Sequence, residues 1–588
     1  MTSHQRQPGF TALPFFTPSK QLRVNHPTPA IVAQSAVRPL PRWALLLLCL
    51  AYAVPGFVGR APWRSDDMAS FGYMRELALG HTSWLHPLLA GLPGDGDGLL
   101  HYWLGAWAIQ ALGGWLPLEL AARVPFIALL LLTLSATWYG VYYLARGPGA
   151  QPVAFAFGGE AQPADYARAM ADGGLLALIA CLGLAQLSHE TTGYLTQLAS
   201  TALLFYAGAA LPWRMAWPLL AGLIGLLGLV LSGAPSIAVL LGLGCAWLVW
   251  HSHGPTLRTR ATALALMLAL TLLAALLAQQ LDLWRWRIVR VDGPWEWQSL
   301  VRLLTWFSWP AWPLALWTLW RWRQLIASRH WHRHLWLPLW FALVTLGATL
   351  ATRPANRALL LSLPALAALA AFALPTLKRS IAALIDWFTL LFFSISAIAI
   401  WVVWLSVQTG WPAKPAANVA KLAPGYVSTF SVLPFAVALV ATLAWCLLVA
   451  WRTARNRPAI WKSLVLPAGG ATLGWLLLMT LWLPILDYGR SLAPQVAGVR
   501  AVITERQGCV AAYGLSRAQV AALMYHGELP MVDLRRVAQC YWLVADPDAS
   551  ASVVTLLPPG QWTEVAIVSR PTDRNDRLLV LHRRDDGR

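Results

Sequence analysis

Five carboxylates lie in one early segment of a chain that is otherwise largely apolar. They are Asp66, Asp67, Glu76, Asp95 and Asp97. Because only 12% of the residues are charged, a cluster of this size beside a hydrophobic run suggests a function. Two juxtaposed carboxylates can divide into a general base and a partner that holds a charge or a metal ion. Asp66 and Asp67 are therefore the first candidates for catalytic residues.

Asp66 and Asp67 also have a structural interpretation. They precede an amphipathic stretch, residues 68–79, where a carboxylate can cap free N–H groups and meet the helix dipole favourably. One carboxylate is enough for capping, so the pair exceeds what capping needs, and both interpretations stay open at this point. No spacing compels a metal site, and a divalent cation stays an open option. The pair His189 and Glu190 lacks the second histidine of a zinc motif.

The elements that must position these residues are membrane helices. Hydrophobic residues make up 58% of the chain and the mean hydropathy is +0.54, outside the range of ordinary soluble domains. A span needs about 20 residues, and thirteen apolar segments are candidates. They lie near residues 43–59, 121–145, 173–187, 195–212, 215–231, 236–250, 261–279, 306–320, 335–350, 358–375, 382–407, 430–450 and 464–485. The predicted fold class is an α-helical polytopic membrane protein with about 13 transmembrane helices.

The distribution of positive charge predicts the orientation. Lys and Arg fall mainly in alternate breaks between the apolar segments, as the positive-inside rule requires. This predicts a cytoplasmic N-terminus and, because thirteen is odd, a C-terminus on the periplasmic side. The Arg-rich break at 280–305 is an exception to the pattern. The net charge of +19 follows the same distribution, so the lipid bilayer is a predicted partner and nucleic acid is not.

The sequence divides into three predicted parts. Residues 1–42 are polar and Pro-rich, which predicts a disordered cytoplasmic tail. Residues 43–486 form the predicted transmembrane domain, in which 60–120 is a first periplasmic loop carrying interfacial helices. In residues 487–588, short apolar β-type runs (509–513, 541–545, 564–568 and 577–582) alternate with helical stretches such as 516–526, which predicts a small periplasmic α/β domain. No role follows from the sequence for the insert at 147–172.

Two of the six cysteines, Cys509 and Cys540, fall in the last of these parts. An oxidising compartment such as the periplasm permits a disulfide there, but the sequence alone does not decide whether these two residues form one. The other four cysteines lie in apolar segments without the spacing of metal ligands, which is typical of small core residues.

Short motifs in the first loop follow one another in a recognisable order. Asp66-Asp67 is followed by Tyr73, by Gly80 to Trp84, and by Asp97-Gly-Leu-Leu-His-Tyr102-Trp-Leu104. This series resembles the first periplasmic loop of the glycosyltransferase C superfamily, in particular bacterial relatives of protein O-mannosyltransferase (family 39) and of the lipid A aminoarabinose transferase. It departs from them at Leu99, where the family has Pro. No lysine stands at Asp97, so the phosphate-gripping lysine of the aminoarabinose enzymes is not carried over.

Three further stretches extend the resemblance. Glu119-Leu-Ala-Ala-Arg-Val-Pro125 resembles the family's opening of the second span. Ser188-His-Glu-Thr-Thr192 lies where relatives place a polar residue near the active site. Arg353-Pro-Ala-Asn-Arg357 and the apolar run after it resemble the Arg-containing motif that begins a late span. An arginine at the membrane interface suits a phosphate, although it could also simply snorkel.

The resemblance implies an inverting membrane glycosyltransferase of the bacterial inner membrane. Its donor would be a sugar on a polyprenyl phosphate, and its acceptor a hydroxyl of lipid A, of another envelope glycan or of a secreted protein. Asp66 would act as the general base, beside Asp67. The residues implied in binding the donor phosphate or the substrates are Asp97, Tyr73, Tyr102, His189, Glu190, Arg353 and Arg357, with the arginines of 285–302 as the next candidates.

Two alternatives come from other functional classes. A transporter or flippase for a lipid-linked saccharide would place ionisable groups in the middle of its spans, whereas here the acids cluster in loops. An O-antigen ligase-type protein usually relies on large Arg- and His-rich outer loops late in the chain, whereas here the acidic loop comes first. Both alternatives stay open at the level of sequence.

Overall fold

The computed structural model describes residues 28–94, 98–251, 256–284, 294–328, 330–352, 355–454, 459–503, 508–549 and 561–584. Up to residue 503, helices dominate this part of the chain. The helices are α1 (Arg42–Ala53), α2 (Asp66–Ala78), α3 (Leu100–Leu112), α4 (Leu118–Ala145), α5 (Pro163–Ala180), α6 (Leu184–Leu187), α7 (Gly193–Ala210), α8 (Ala216–Leu231), α9 (Pro235–Trp250), α10 (Leu257–Gln280), α11 (Pro294–Phe307), α12 (Ala311–Arg321), α13 (Arg323–Ile326), α14 (Arg333–Ala351), α15 (Ala355–Leu360), α16 (Leu363–Ala373), α17 (Arg379–Thr409), α18 (Ala413–Leu422), α19 (Val432–Ala454), α20 (Lys462–Leu478), α21 (Leu483–Arg490) and α22 (Ala493–Val502).

Several of these helices are apolar enough to cross a membrane. Among the described residues, five are both long and apolar enough, namely α4, α10, α14, α17 and α19. A sixth is obtained if α20 and α21, which meet at a bend of 68°, count as one span. Each of the thirteen predicted segments contains a helix or a pair of short helices. The chain is thus a helical membrane protein, and the number of thirteen crossings stays a prediction.

The segment between α1 and α4 carries the acidic cluster. Here α2 is followed by a two-stranded hairpin, β1 (Leu88–Leu89) and β2 (Leu92–Pro93), and then by α3. Asp66 and Asp67 occupy the first turn of α2, where their charge meets the positive end of the helix dipole. The preceding residue, Ser65, has a φ of 74°, a conformation that non-glycine residues rarely adopt. The chain therefore enters α2 through a sharp, strained corner.

The N-terminal residues described by the structure pack against the insert at 147–172. Backbone hydrogen bonds join Val153 to Ala30, Gln34 to Gly159 and Ala161 to Val32. The carboxylate of Asp172, in α5, accepts the backbone N–H of Leu40 and the indole N–H of Trp138. The predicted disorder of the tail does not extend to these residues, because Ala30, Val32 and Val37 are buried. Residues 1–27 lie outside the described part.

Beyond residue 508 the chain forms a C-terminal α/β unit (described residues 508–549 and 561–584). Its five strands are β3 (Val510–Tyr513), β4 (Met531–Asp533), β5 (Trp542–Ala545), β6 (Trp562–Arg570) and β7 (Asp573–Arg583). Their order in the sheet is β4-β3-β5-β7-β6, with β3 parallel to β4 and β5, and β7 antiparallel to β5 and β6. The helix α23 (Arg517–Tyr525) connects β3 and β4 and begins with a capping box formed by Ser516 and Gln519. Cys509 and Cys540 form a disulfide.

Candidate active site

Asp67 is a buried anchor for the chain around it. Its side chain is 2% exposed, and each of its oxygens accepts two hydrogen bonds. Oδ2 accepts from Arg60 Nη1 at 2.7 Å and from the Trp63 N–H at 3.1 Å. Oδ1 accepts from the N–H and the hydroxyl of Thr191 at 2.8 and 2.7 Å. Asp67 therefore joins the segment before α2 to the loop that precedes α7.

The surroundings of Asp67 keep it ionised. Burial alone would raise its pKa, but the charges of Arg60 and Arg123 and the hydrogen bonds from Thr191 and Arg60 hold the pKa well below its ordinary value. Each nitrogen of the Arg60 guanidinium is also engaged, because it donates to the carbonyls of Gly56, Ala61 and His189 as well as to Asp67. With all its lone pairs occupied, Asp67 has none free for the proton of a substrate.

Asp66, in contrast, is accessible and lies beside a cation. Its side chain is 49% exposed and forms an ion pair with Arg357, whose own side chain is only 11% exposed. Arg357 Nη2 lies 3.3 Å from Oε2 of Glu190, and the guanidinium lies 5.6 Å from the centre of the Tyr194 ring. The structure therefore brings together three of the residues selected from the sequence, on α2, on the loop before α7 and on α15.

Glu190 is the titratable member of this group. Burial and the neighbouring charge of Asp67 raise its pKa to about 7, although Arg60 opposes the shift. The carboxyl group can therefore gain or lose a proton near neutral pH, as a general acid or base must. The pair of Glu190 and Arg357 is thus a switchable ion pair beside an accessible carboxylate.

A second group of charged residues surrounds Trp63, and most of its members were not identified from the sequence. The guanidinium carbons of Arg60 and Arg490 lie 4.5 and 4.9 Å from the ring centre of Trp63. The indole N–H donates to Asp487, which also accepts the backbone N–H of Ala61. Arg490 and Asp487 belong to α21, and the bend after α20 brings α21 to this place. No local motif marks these residues, since they meet Trp63 from more than 400 positions away.

His189 is buried and packs against aromatic rings. It is 1% exposed, and burial lowers its pKa to about 4 in spite of hydrogen-bond contacts that oppose the shift. Its Nδ1 contacts the carbonyl of Ala185 and its Nε2 lies 3.0 Å from the carbonyl of Tyr52. Aromatic rings, including those of Phe57 and Trp475, enclose the imidazole. This predicted substrate-binding residue is therefore a neutral packing residue behind the site.

Tyr73 and Tyr102 lie in the core beneath the hairpin. The hydroxyl of Tyr73 lies within hydrogen-bond distance of the carbonyls of Leu92 and Pro93, at 3.0 and 2.8 Å. The rings of Tyr73 and Tyr102 contact each other at 5.0 Å, and both residues are almost fully buried. Seven residues of helix separate Tyr73 from Asp66, which is about 10 Å along the axis. The structure places both tyrosines apart from the Arg357 group.

Most of the remaining predicted site residues, namely Asp97, Arg353, Arg285, Arg287 and Arg290, fall outside the described part of the chain. The last member of the 285–302 group, Arg302, is exposed on α11. Among the residues that the structure describes, no group of three or more His, Cys, Asp or Glu side chains is arranged to hold a metal ion. The site is therefore defined by Asp66, Glu190 and Arg357, with Asp67 and Arg60 as its support.

The fold and this arrangement can be compared with known proteins. No protein-family model and no curated protein match the sequence. The whole-chain fold is similar to that of solved structures. Two solved structures carry this conclusion, both of ArnT from Cupriavidus metallidurans. The structure bound to undecaprenyl phosphate has 15% identity and a TM-score of 0.56, and the alignment covers 92% of this chain and 98% of ArnT. The apo structure has 15% identity and a TM-score of 0.57, with coverage of 92% and 97%.

Proposed function

We propose that this protein is an inner-membrane glycosyltransferase that moves a sugar from a polyprenyl phosphate to an acceptor hydroxyl on the periplasmic side. The observation that carries the proposal is the accessible carboxylate of Asp66 beside the largely buried guanidinium of Arg357. It occurs in a fold shared with a protein whose structure contains undecaprenyl phosphate. A base and an anion-binding cation side by side are the two groups that such a transfer needs.

Asp66 is the candidate general base. It accepts the proton of the acceptor hydroxyl while that oxygen forms a bond to the anomeric carbon of the donor sugar. The bond between the anomeric carbon and the phosphate oxygen breaks with inversion, and polyprenyl phosphate leaves with the electron pair. Asp66 suits this role better than Asp67, because it is half exposed whereas Asp67 is saturated with hydrogen bonds.

Arg357 is the candidate for stabilising the leaving phosphate. Negative charge grows on the phosphate as the glycosidic bond breaks, and a preorganised guanidinium in a low-dielectric site stabilises that charge. The two carboxylates beside it, Asp66 and Glu190, orient the guanidinium before the donor arrives. The raised pKa of Glu190 allows it to become neutral when a phosphate takes its place beside Arg357. Arg353 stays a second candidate for the phosphate.

The acceptor and the sugar define the product, and mass spectrometry of the cell envelope identifies both. Glycolipids and glycans from a deletion strain are compared with those of the parent, and we expect a species to lose the mass of one sugar. A purified protein that moves a lipid-linked saccharide across vesicle membranes but forms no transfer product with an acceptor would indicate the transporter alternative.

Point variants in the deletion strain then test the assignment of roles. Asp66→Asn should lower product formation by about two to four orders of magnitude, the usual range for a general base. The matched control is Asp548→Asn in the C-terminal α/β unit, a carboxylate that is 92% exposed. Normal product formation by Asp66→Asn, at an unchanged protein level in the membrane, would refute the base role.

Binding of undecaprenyl phosphate tests Arg357 independently of the sugar. Arg357→Met should weaken binding by roughly 10- to 150-fold, because a charge-assisted hydrogen bond contributes about 1.5 to 3 kcal/mol. Arg357→Lys keeps the charge but loses the planar fork, so it should recover only part of the affinity. Equal affinity of the wild type and Arg357→Met would remove this residue from the phosphate site.

A further inference from the structure

The helix that carries Asp66 packs directly against the C-terminal α/β unit. At the midpoint of α2, Gly72 faces Ala521 of α23 so closely that a Cβ on Gly72 would lie 2.6 Å from that of Ala521. Real Cβ atoms do not approach so closely, so glycine is required for the two helices to touch. Ala521 is 1% exposed, and its neighbours Ala518 and Ala522 are also buried. This contact between small residues fixes the distance between α2 and α23.

Aromatic contacts fix the rotation of the two helices. The ring of Phe71 meets that of Tyr525 edge to face, with centres 4.8 Å apart. Tyr525 also interacts with the carboxyl group of Glu119, in the first turn of α4. The C-terminal end of α23 thereby joins α2 to the start of a predicted membrane span.

The entrance to α2 is held by the same unit. Arg64, two residues before Asp66, lies 3.4 and 3.5 Å from the carboxylates of Asp573 and Asp576, which lie in the first part of β7. Asp576 also accepts the side-chain amide of Gln519 in α23, at 3.1 Å. The C-terminal α/β unit therefore contacts α2 both at its entrance and along its body.

We propose that α23 is a positioning element for the catalytic helix, with Ala521 and Tyr525 setting the place of α2 and thus of Asp66. The inference rests on the proposed function, because it concerns the same carboxylate. It gives the C-terminal α/β unit a part in the transfer step that is independent of any acceptor binding. A displacement of a reacting group by about 1 Å can cost about a hundredfold in rate, so a contact of this kind is sufficient to control the reaction.

A size exchange between the two helices tests the proposal. Gly72→Ala should lower the rate of transfer at least about tenfold, since the new methyl group pushes α2 away from α23. Intrinsic helix propensity changes in the opposite direction, because alanine favours a helix by about 1 kcal/mol over glycine. The double variant Gly72→Ala with Ala521→Gly should restore most of the rate. Gly114→Ala is the matched control, because no atom lies within 4 Å of the position of its Cβ.

The affinity for undecaprenyl phosphate separates positioning from general damage. Arg357 and Glu190 do not lie on α2, so Gly72→Ala should leave this affinity unchanged within about twofold while the rate of transfer falls. A Gly72→Ala protein with the wild-type rate would overturn the proposal, as would a double variant that is no better than the single one. Activity of Asp66→Asn would refute the base role only, and recovery in the size exchange would still support the role of α23.

Discussion

Asp66 and Asp67 are neighbours in sequence, yet the structure predicts opposite consequences when each is replaced by asparagine. In Asp67→Asn, the new amide group faces either the donors Arg60 and Trp63 or the donors of Thr191, so hydrogen bonds are lost and the buried Arg60 loses its counter-charge. Breaking a buried ion pair in this way costs roughly 3 to 5 kcal/mol. In Asp66→Asn, the lost pair is half exposed and worth about 0 to 1 kcal/mol, and Arg357 keeps Glu190 as a partner.

Trypsin cleavage in detergent can measure the difference, because Arg64 and Arg75 flank the first part of α2. Opening of this segment exposes both sites, and the cleavage rate follows the open population. Asp67→Asn should accelerate cleavage by roughly two to four orders of magnitude, whereas Asp66→Asn should change it by less than about fivefold. When transfer activity is compared per folded molecule, Asp66→Asn should be more impaired than Asp67→Asn. Equal cleavage rates for wild type and Asp67→Asn would show that the four hydrogen bonds of Asp67 do not hold the segment.

Three further outcomes are expected. The raised pKa of Glu190, about 7 against an ordinary 4.5, stabilises the fold below pH 4.5, and this contribution is lost as the pH rises through 7. Glu190→Gln should therefore gain thermal stability relative to wild type above pH 7 and not below pH 4.5, and parallel curves of melting temperature against pH would contradict this. Ser65→Gly should raise the melting temperature and Ser65→Val should lower it, because the φ of 74° costs a non-glycine residue about 1 kcal/mol or more; the reverse order would disprove strain at this corner. Replacing both Cys509 and Cys540 by serine should destabilise the C-terminal α/β unit by about 3 to 4 kcal/mol, given the separation of 31 residues, and an unchanged susceptibility of this unit to proteolysis would argue against the disulfide.

The sequence was most informative where apolar runs and turn signals are continuous. Every predicted apolar segment contains helix, and the β-type runs predicted in the last hundred residues correspond to β3, β5, β6 and β7. The short strand β4 was missed, because three residues, Met531–Asp533, form a strand only through their pairing with β3. Local sequence patterns thus predict the helices and strands that their own residues stabilise. They fail for a strand such as β4, which forms only by pairing with a neighbouring strand.

The candidate site was predictable only in part for the same reason. Residue type and motif resemblance selected Asp66, Glu190 and Arg357, and the structure brings these three together. The resemblance selected Asp66 as the base, but the burial and hydrogen bonding of Asp67 could not be predicted, because they depend on Thr191, which is 124 positions away. Arg60 lies within the loop identified from the sequence. Its role in joining this loop to the segment at His189 is visible only in the folded chain, where it donates a hydrogen bond to the His189 carbonyl.

The bent junction between α20 and α21 has a consequence for how the protein is made. Asp487 and Arg490 complete the surroundings of Trp63, so the group of residues around this ring comes from both ends of the membrane part. Trp63 and Arg60 are synthesised long before Asp487 and Arg490. Until the late residues have been made, Trp63 and Arg60 therefore lack part of their native contacts. Nascent chains that stop before residue 487 can insert their helices but cannot complete this group. Completion of the contacts around Trp63, next to the Asp67 anchor, is therefore one of the last events in the biogenesis of the molecule.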